Sequence, residues 1–311
     1  MTGEGSRQAG SFRWDGVFWR KLAYQLSMRA PGWIKAALAP IIGAVLFACI
    51  GRNRRAVAAN QRQILGTSRW WPGQKAAFYT FLEFARVFAE TLEIEGRQSH
   101  TREVDRELEV DVQRPNGLEE ELDEVLAGNR GLVVLTSHFG CWEMGARIMQ
   151  RFERPVNLVM TTEANATVEQ FSLETKKQHG LRVIHSNSSV FSSVGMIRAL
   201  RRGEVVAMQL DRAAEGQVTE SLNFFGRPAK FQIGPFMLAR LARVPIWPVY
   251  VARTSRHSFR ILAEPIRQID RQANREEVVQ VMQHVVSGFE QHVREYPHQW
   301  FQFHHVWEDA N

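Results

Sequence analysis

Between residues 118 and 295 short apolar runs alternate with amphipathic stretches. The runs 132–136, 156–160, 181–185, 204–209, 245–251 and 258–263 have the length and bounding residues of buried strands. Between them, 118–127, a stretch from near Trp142, a polar segment around 165–179, 190–201, a segment starting at Gly234 and 275–295 have helical spacing. Such alternation predicts an α/β domain: one mainly parallel or mixed sheet, buried by helices on both faces.

The N-terminal third reads differently. Residues 1–11 are polar and are expected to be disordered. From Phe12 to Trp33, Trp14, Phe18, Trp19, Leu22 and Leu26 fall at helical spacing with Arg13, Arg20 and Lys21 between them. That pattern suits core packing or a helix lying in a headgroup layer. Residues 33–50, WIKAALAPIIGAVLFACI, carry one charge, Lys35, and are followed by Arg52, Arg54 and Arg55. Eighteen residues sit at the lower limit for spanning a bilayer, and Pro40 and Gly43 weaken a straight span, so a helix in or against one leaflet is expected, with a helix buried within the fold as the alternative. In 75–95, Phe78, Phe81, Leu82, Phe88 and Leu92 share one broad helical face, which reads as core or as the wall of an acyl-chain groove. The parse is therefore a helical, membrane-associating annex, 12–74, continuous with an α/β domain, 75–307.

Charge narrows the partners. With 39 Lys+Arg against 33 Asp+Glu the net charge is +6, which favours anionic surfaces. The basic residues are dispersed and match no nucleic-acid motif, so no nucleic acid is expected. Two cysteines, Cys49 and Cys141, make no disulfide framework.

The segment TSHFGCWEMG, 136–145, follows the first strand. On a continuous helix five residues turn about 500°, so His138 and Glu143 would not face one another. The spacing fits better with His138 in the turn, Gly140 at the bend and Glu143 in the first helical turns. A histidine at the carboxyl end of a strand suits a general base, and a carboxylate suits its orientation. Ser137 has no Gly-x-Ser-x-Gly elbow, Cys141 reads as packing, and a single histidine does not make HExxH, so no metal is expected. Taken alone, the pair is equally a polar interruption in a strand–helix junction. His298, His304 and His305 have no ligand spacing, and Trp300, Phe301, Phe303 and Trp307 read as core.

HFGCWE resembles the HxxxxE/D box of glycerolipid and lipid A acyltransferases, closest to the form in the bacterial lipid A late-acyltransferase branch. ANQRQILG (59–66), RRGEVVAMQLDR (201–212), FFGRPAKFQIGPFMLARLARVPIWPVYV (224–251) and EYPHQWFQFHHVW (295–307) are similar to other blocks of that branch, in order. The resemblance implies O-acyl transfer from an acyl carrier protein or coenzyme A thioester to a hydroxyl of a lipid or glycolipid such as a lipid A precursor. His138 would be the base and Glu143 its orienter, with no other cofactor. Asp211 and Arg212 would support the site, Arg212 by binding a phosphate or polarising the carbonyl; the bland reading is a surface ion pair. Phe225, Gly226, Arg227 and Lys230 would form a loop for a phosphorylated headgroup or phosphopantetheine, or simply a solvated turn. The expected location is the cytoplasmic face of a bacterial inner membrane, held peripherally or by one N-terminal anchor. An acyl-thioester hydrolase and a non-catalytic lipid-binding protein are the alternatives. Cys141 where the branch usually has Asn, TTEAN (161–165) in place of a Tyr-Arg pair, and His304-His305 in place of a basic pair bear on the acceptor rather than the reaction.

Overall fold

The structure, a computed structural model, describes residues 30–96 and 109–307 except 129, 143, 146–148, 150–152, 162–172, 174–175, 178–179, 187–189 and 214–215. The amphipathic segment before residue 30, most of the polar stretch 165–179 and Glu143 lie outside the described residues.

Seven strands form one sheet: β1 (Glu109–Gln113), β2 (Leu132–Thr136), β3 (Val156–Met160), β4 (Leu181–His185), β5 (Val205–Gln209), β8 (Ile246–Ser255) and β9 (Ser258–Ala263), in the order β1-β9-β8-β2-β5-β3-β4. Only the β8–β9 hairpin is antiparallel; all other neighbours run parallel. The central β2 and β5 are apolar and buried along nearly their whole length, as a parallel strand covered on both faces must be. A second, two-stranded sheet, β6 (Thr219–Phe224) and β7 (Arg227–Gln232), turns at Phe225 and Gly226, both with positive φ. The segment expected as a loop is thus a hairpin.

Between the strands lie α4 (Leu118–Ala127), α5 (Val190–Arg201) and α6 (Gly234–Ala242), and the chain closes with α7 (Arg275–Glu295). Asn274 and Glu277 satisfy the first amides of α7 reciprocally, and Val278, Met282, Val285, Phe289 and Val293 bury its inner face.

Three helices precede the sheet: α1 (Gly32–Cys49), α2 (Gly51–Ile64) and α3 (Trp70–Gly96). α1 continues through Pro40 and lies antiparallel along α3. Lys35, Ala39 and Gly43, four apart, form its buried face. A Cβ at Gly43 would stand 2.8 Å from the Phe81 carbonyl, so glycine permits this close approach. The outer face, with Leu38, Ile41, Ile42 and Val45, is exposed. α2 turns its amides toward the chain's end: Asn60 Nδ2 donates to the carbonyls of Gln302 (3.1 Å) and His304 (2.8 Å), and Gln61 Nε2 donates to that of Pro297 (2.6 Å). The ANQRQ stretch is therefore a clamp on residues 297–306.

Candidate active site

β2 and β5 pair in register, Thr136 opposite Gln209, and the Leu210 amide donates to the Thr136 carbonyl. Two residues beyond each strand's end stand His138 and Asp211. Parallel pairing therefore brings together groups 73 residues apart in sequence. Past His138, Gly140 sits at φ 52° and its amide donates to the Gln299 carbonyl. A Cβ there would lie 2.0 Å from the Val251 carbonyl oxygen. Left-handed backbone and absent space both require glycine. Gly140→Ala is expected to destabilise the protein by more than about 3 kcal/mol, adding overpacking to backbone strain, and to displace His138. Thermal melting and transfer assays on the same preparation check this; an unchanged melting point would refute it.

His138 Nδ1 lies 2.9 Å from Asp211 Oδ1, and the His138 amide donates to both carboxylate oxygens at 3.1 Å. The Trp300 indole N–H donates to Oδ2 at 3.0 Å. Burial alone would raise the Asp211 pKa; the imidazole, its hydrogen bond, the indole N–H and the neighbouring Arg212 together hold it below the usual carboxylate range. An ionised carboxylate only accepts, so Nδ1 carries the proton, and in the neutral ring the lone pair is on Nε2. The ring is 18% exposed while the Asp211 side chain has no exposure, which is the layout of a base reached by substrate and steadied from behind.

Arg212 is fixed by the same C-terminal segment. Its Nε donates to Gln302 Oε1 (2.8 Å) and its Nη2 to the Phe301 carbonyl (2.7 Å), while Gln302 Nε2 donates to the Asp211 carbonyl (2.9 Å). His304 lies within electrostatic reach: burial first, then Arg212, Arg52 and His138, lower its pKa below the usual imidazole value.

His138 and Arg212 open onto a cavity of about 290 Å³ whose other walls are Phe84, Val87, Phe88 and Thr91 of α3, Cys141 and Trp142 beyond β2, and Phe301 and Phe303. α3 divides its apolar residues: Phe81 and Leu82 bury against neighbouring elements, and Phe88 lines the cavity. Cys141 is buried with Sγ 3.6 Å from Thr91 Oγ1, as a packing residue would be.

The structure thus gathers His138, Asp211 and Arg212, and describes nothing of Glu143. Phe225, Gly226, Arg227 and Lys230 belong to the β6–β7 hairpin and do not line this cavity. Phe225 is buried against Trp307 beneath the Arg294 guanidinium, its amide on Glu290 and its carbonyl on Gln63. Arg227 borders a separate polar hollow with Arg62 and Thr67. Sequence reading missed the use of Trp300, whose pattern among aromatic neighbours signals packing and nothing more. No group of three or more metal-ligating side chains occurs among the described residues.

An imidazole in the wall of an apolar cavity could serve a hydroxyl attacking the carbonyl of a long-chain acyl group, and comparison with known proteins gives that class of enzyme, an acyltransferase. The chain belongs to the bacterial lipid A biosynthesis acyltransferase family, whose model matches residues 25–309. Among solved structures it is similar to the 1-acyl-sn-glycerophosphate acyltransferase PlsC of Thermotoga maritima, at 14% identity and a TM-score of 0.39 over 87% of this chain and 99% of that one. No curated protein sequence matches it.

Proposed function

We propose that the protein transfers a fatty acyl group from an acyl carrier protein or coenzyme A thioester to a hydroxyl of a lipid or glycolipid acceptor. The observation carrying this reading is the Asp211–His138 contact beside the cavity. Nε2 takes the proton of the acceptor hydroxyl as its oxygen attacks the thioester carbonyl. The imidazolium so formed is stabilised by the Asp211 carboxylate behind it. Arg212, held by two hydrogen bonds, stabilises the negative charge developing on the carbonyl oxygen. Collapse of the tetrahedral intermediate expels the thiolate, so no acyl-enzyme is needed. The apolar walls would receive the chain. Mass spectrometry of lipids from cells with and without the protein identifies the acceptor. Purified protein should release thiol from an acyl thioester only when that acceptor is present; equal release without it would make the enzyme a hydrolase.

The same reading places the enzyme on one leaflet. α1 is long and apolar enough to cross a membrane, with 11% of its apolar window buried. Its flank on α3, however, lies level with Glu83, Glu90 and Glu93, which pair with Arg253 and Arg256. A bilayer centred on α1 would carry those ion pairs to hydrocarbon depth, where a charge left half-exposed to lipid, as Arg256 would be, costs roughly 3 kcal/mol. With α1 in the plane of the leaflet, Ile41, Ile42 and Val45 meet lipid while the ion pairs stay in the protein. Cysteines placed at Ala30 and Arg55, with Cys49→Ser, should both react with an impermeant maleimide from the same side of sealed vesicles. Labelling from opposite sides would show a span.

A further inference from the structure

The last residues before Trp307 form one wall of the site. The Phe301 amide donates to the His138 carbonyl (2.8 Å), and Phe139 and Trp300 form an antiparallel bridge. Trp300 is 2% exposed, packed among Phe224, Phe289 and Trp307, with its indole N–H spent on Asp211 Oδ2. The two oxygens of Asp211 are thus divided: Oδ1 for the imidazole, Oδ2 for the indole, with the His138 amide shared between them.

This division fixes what a carboxylate would otherwise be free to change. A carboxylate held at one oxygen swings about its Cβ–Cγ bond, and the angle it presents to Nδ1 swings with it. The His138 amide, 3.1 Å from both oxygens, holds them from a single point; the indole N–H, anchored in a rigid aromatic cluster, adds a hold on Oδ2 alone and limits that rotation. We propose that Trp300 is a positioning residue for acyl transfer: through Asp211 it sets the orientation and tautomer of His138. This rests on His138 being the base, and the test separates the two. The C-terminal segment would then be part of the catalytic apparatus, and Asn60 of α2, holding the Gln302 and His304 carbonyls, would tie it to the membrane-facing helices.

Trp300→Phe keeps an aromatic ring in the cluster and removes the donor, together with part of the buried ring volume. In purified enzyme kcat should fall roughly 10–100-fold with KM changed less than about 3-fold, at a temperature well below the melting point of both proteins. A role in packing alone would also lower kcat, so the decisive measurement is a double-mutant cycle. In an Asp211→Asn background the same change should cost less than about 3-fold, because the donor acts only through that carboxylate. Equal fold-losses in the two backgrounds would overturn the proposal. Should Trp300→Phe fail to fold, replacing the indole NH by sulfur in a benzothienylalanine variant keeps the shape and carries the same expectation. If His138→Ala instead retains activity, the parent reading fails and Trp300 is not what has been tested.

Discussion

Replacing His138 by alanine is expected to lower acceptor-dependent acyl transfer by roughly 10²–10⁴-fold while leaving the fold in place. On the proposed reading the size follows from removing the base that acts in the transition state, His138 being the one imidazole among the described residues lining the cavity. Folding should survive because what His138 gives the fold is largely main chain. Its amide still donates to Asp211 and its carbonyl still accepts from Phe301 in the variant. Asp211 keeps the indole N–H as well, so the buried carboxylate is not left bare. kcat should therefore carry the loss and KM should change little, because the apolar walls proposed to receive the acyl chain are untouched. Paired measurement of transfer by the purified variant and of its melting curve checks this. Transfer within about tenfold of the parent, from folded protein, would remove His138 from the role of base.

Legibility in the sequence followed burial. β2, β3 and β9 occupy the apolar runs that announce them because each is at least partly buried by its neighbours. β1 escaped because it is an exposed edge strand carrying Glu109 and Asp111, where nothing forces an apolar run. The β6–β7 hairpin escaped because its turn is Phe225-Gly226 rather than one of the common Asn-Gly pairs, with Phe225 at φ 53°. The site was legible in its members before its geometry. His138 stood out locally as a polar group at the end of an apolar strand. That Asp211 meets it depends on strand order, β2 beside β5, which no local pattern carries. One signal was available: both residues stand two positions beyond the end of a strand whose first four residues are apolar, so pairing those strands in register would have predicted the contact. Trp300 had no such marker, because a buried indole in a core and a buried indole holding a carboxylate leave the same sequence trace.

Asp211→Asn and Glu143→Gln should both depress transfer, by roughly 10²–10⁴-fold for the first, but they should leave different marks on His138. Asparagine has one acceptor oxygen where Asp211 divides two among the imidazole, the indole and the His138 amide. Its NH₂ would face Nδ1 or the indole; facing Nδ1, it forces the proton to Nε2 and so removes the lone pair that acts as base. In ¹⁵N-histidine-labelled enzyme, the Nδ1–H signal of His138 should be present in the parent, lost in Asp211→Asn and retained in Glu143→Gln. Loss in Glu143→Gln with retention in Asp211→Asn would make Glu143 the orienter and Asp211 a structural group. Stability adds an independent check whose sign is fixed by the direction of the Asp211 shift. Its pKa is lower in the folded protein than in the unfolded chain, so its contribution is fully present above about pH 4 and drains away as pH falls through the folded value. Asp211→Asn should therefore lose less stability than the parent on acidification across that window, although it starts lower at neutral pH. Parallel acid-unfolding slopes for the two proteins would mean that the charge on Asp211 is not what its buried partners hold.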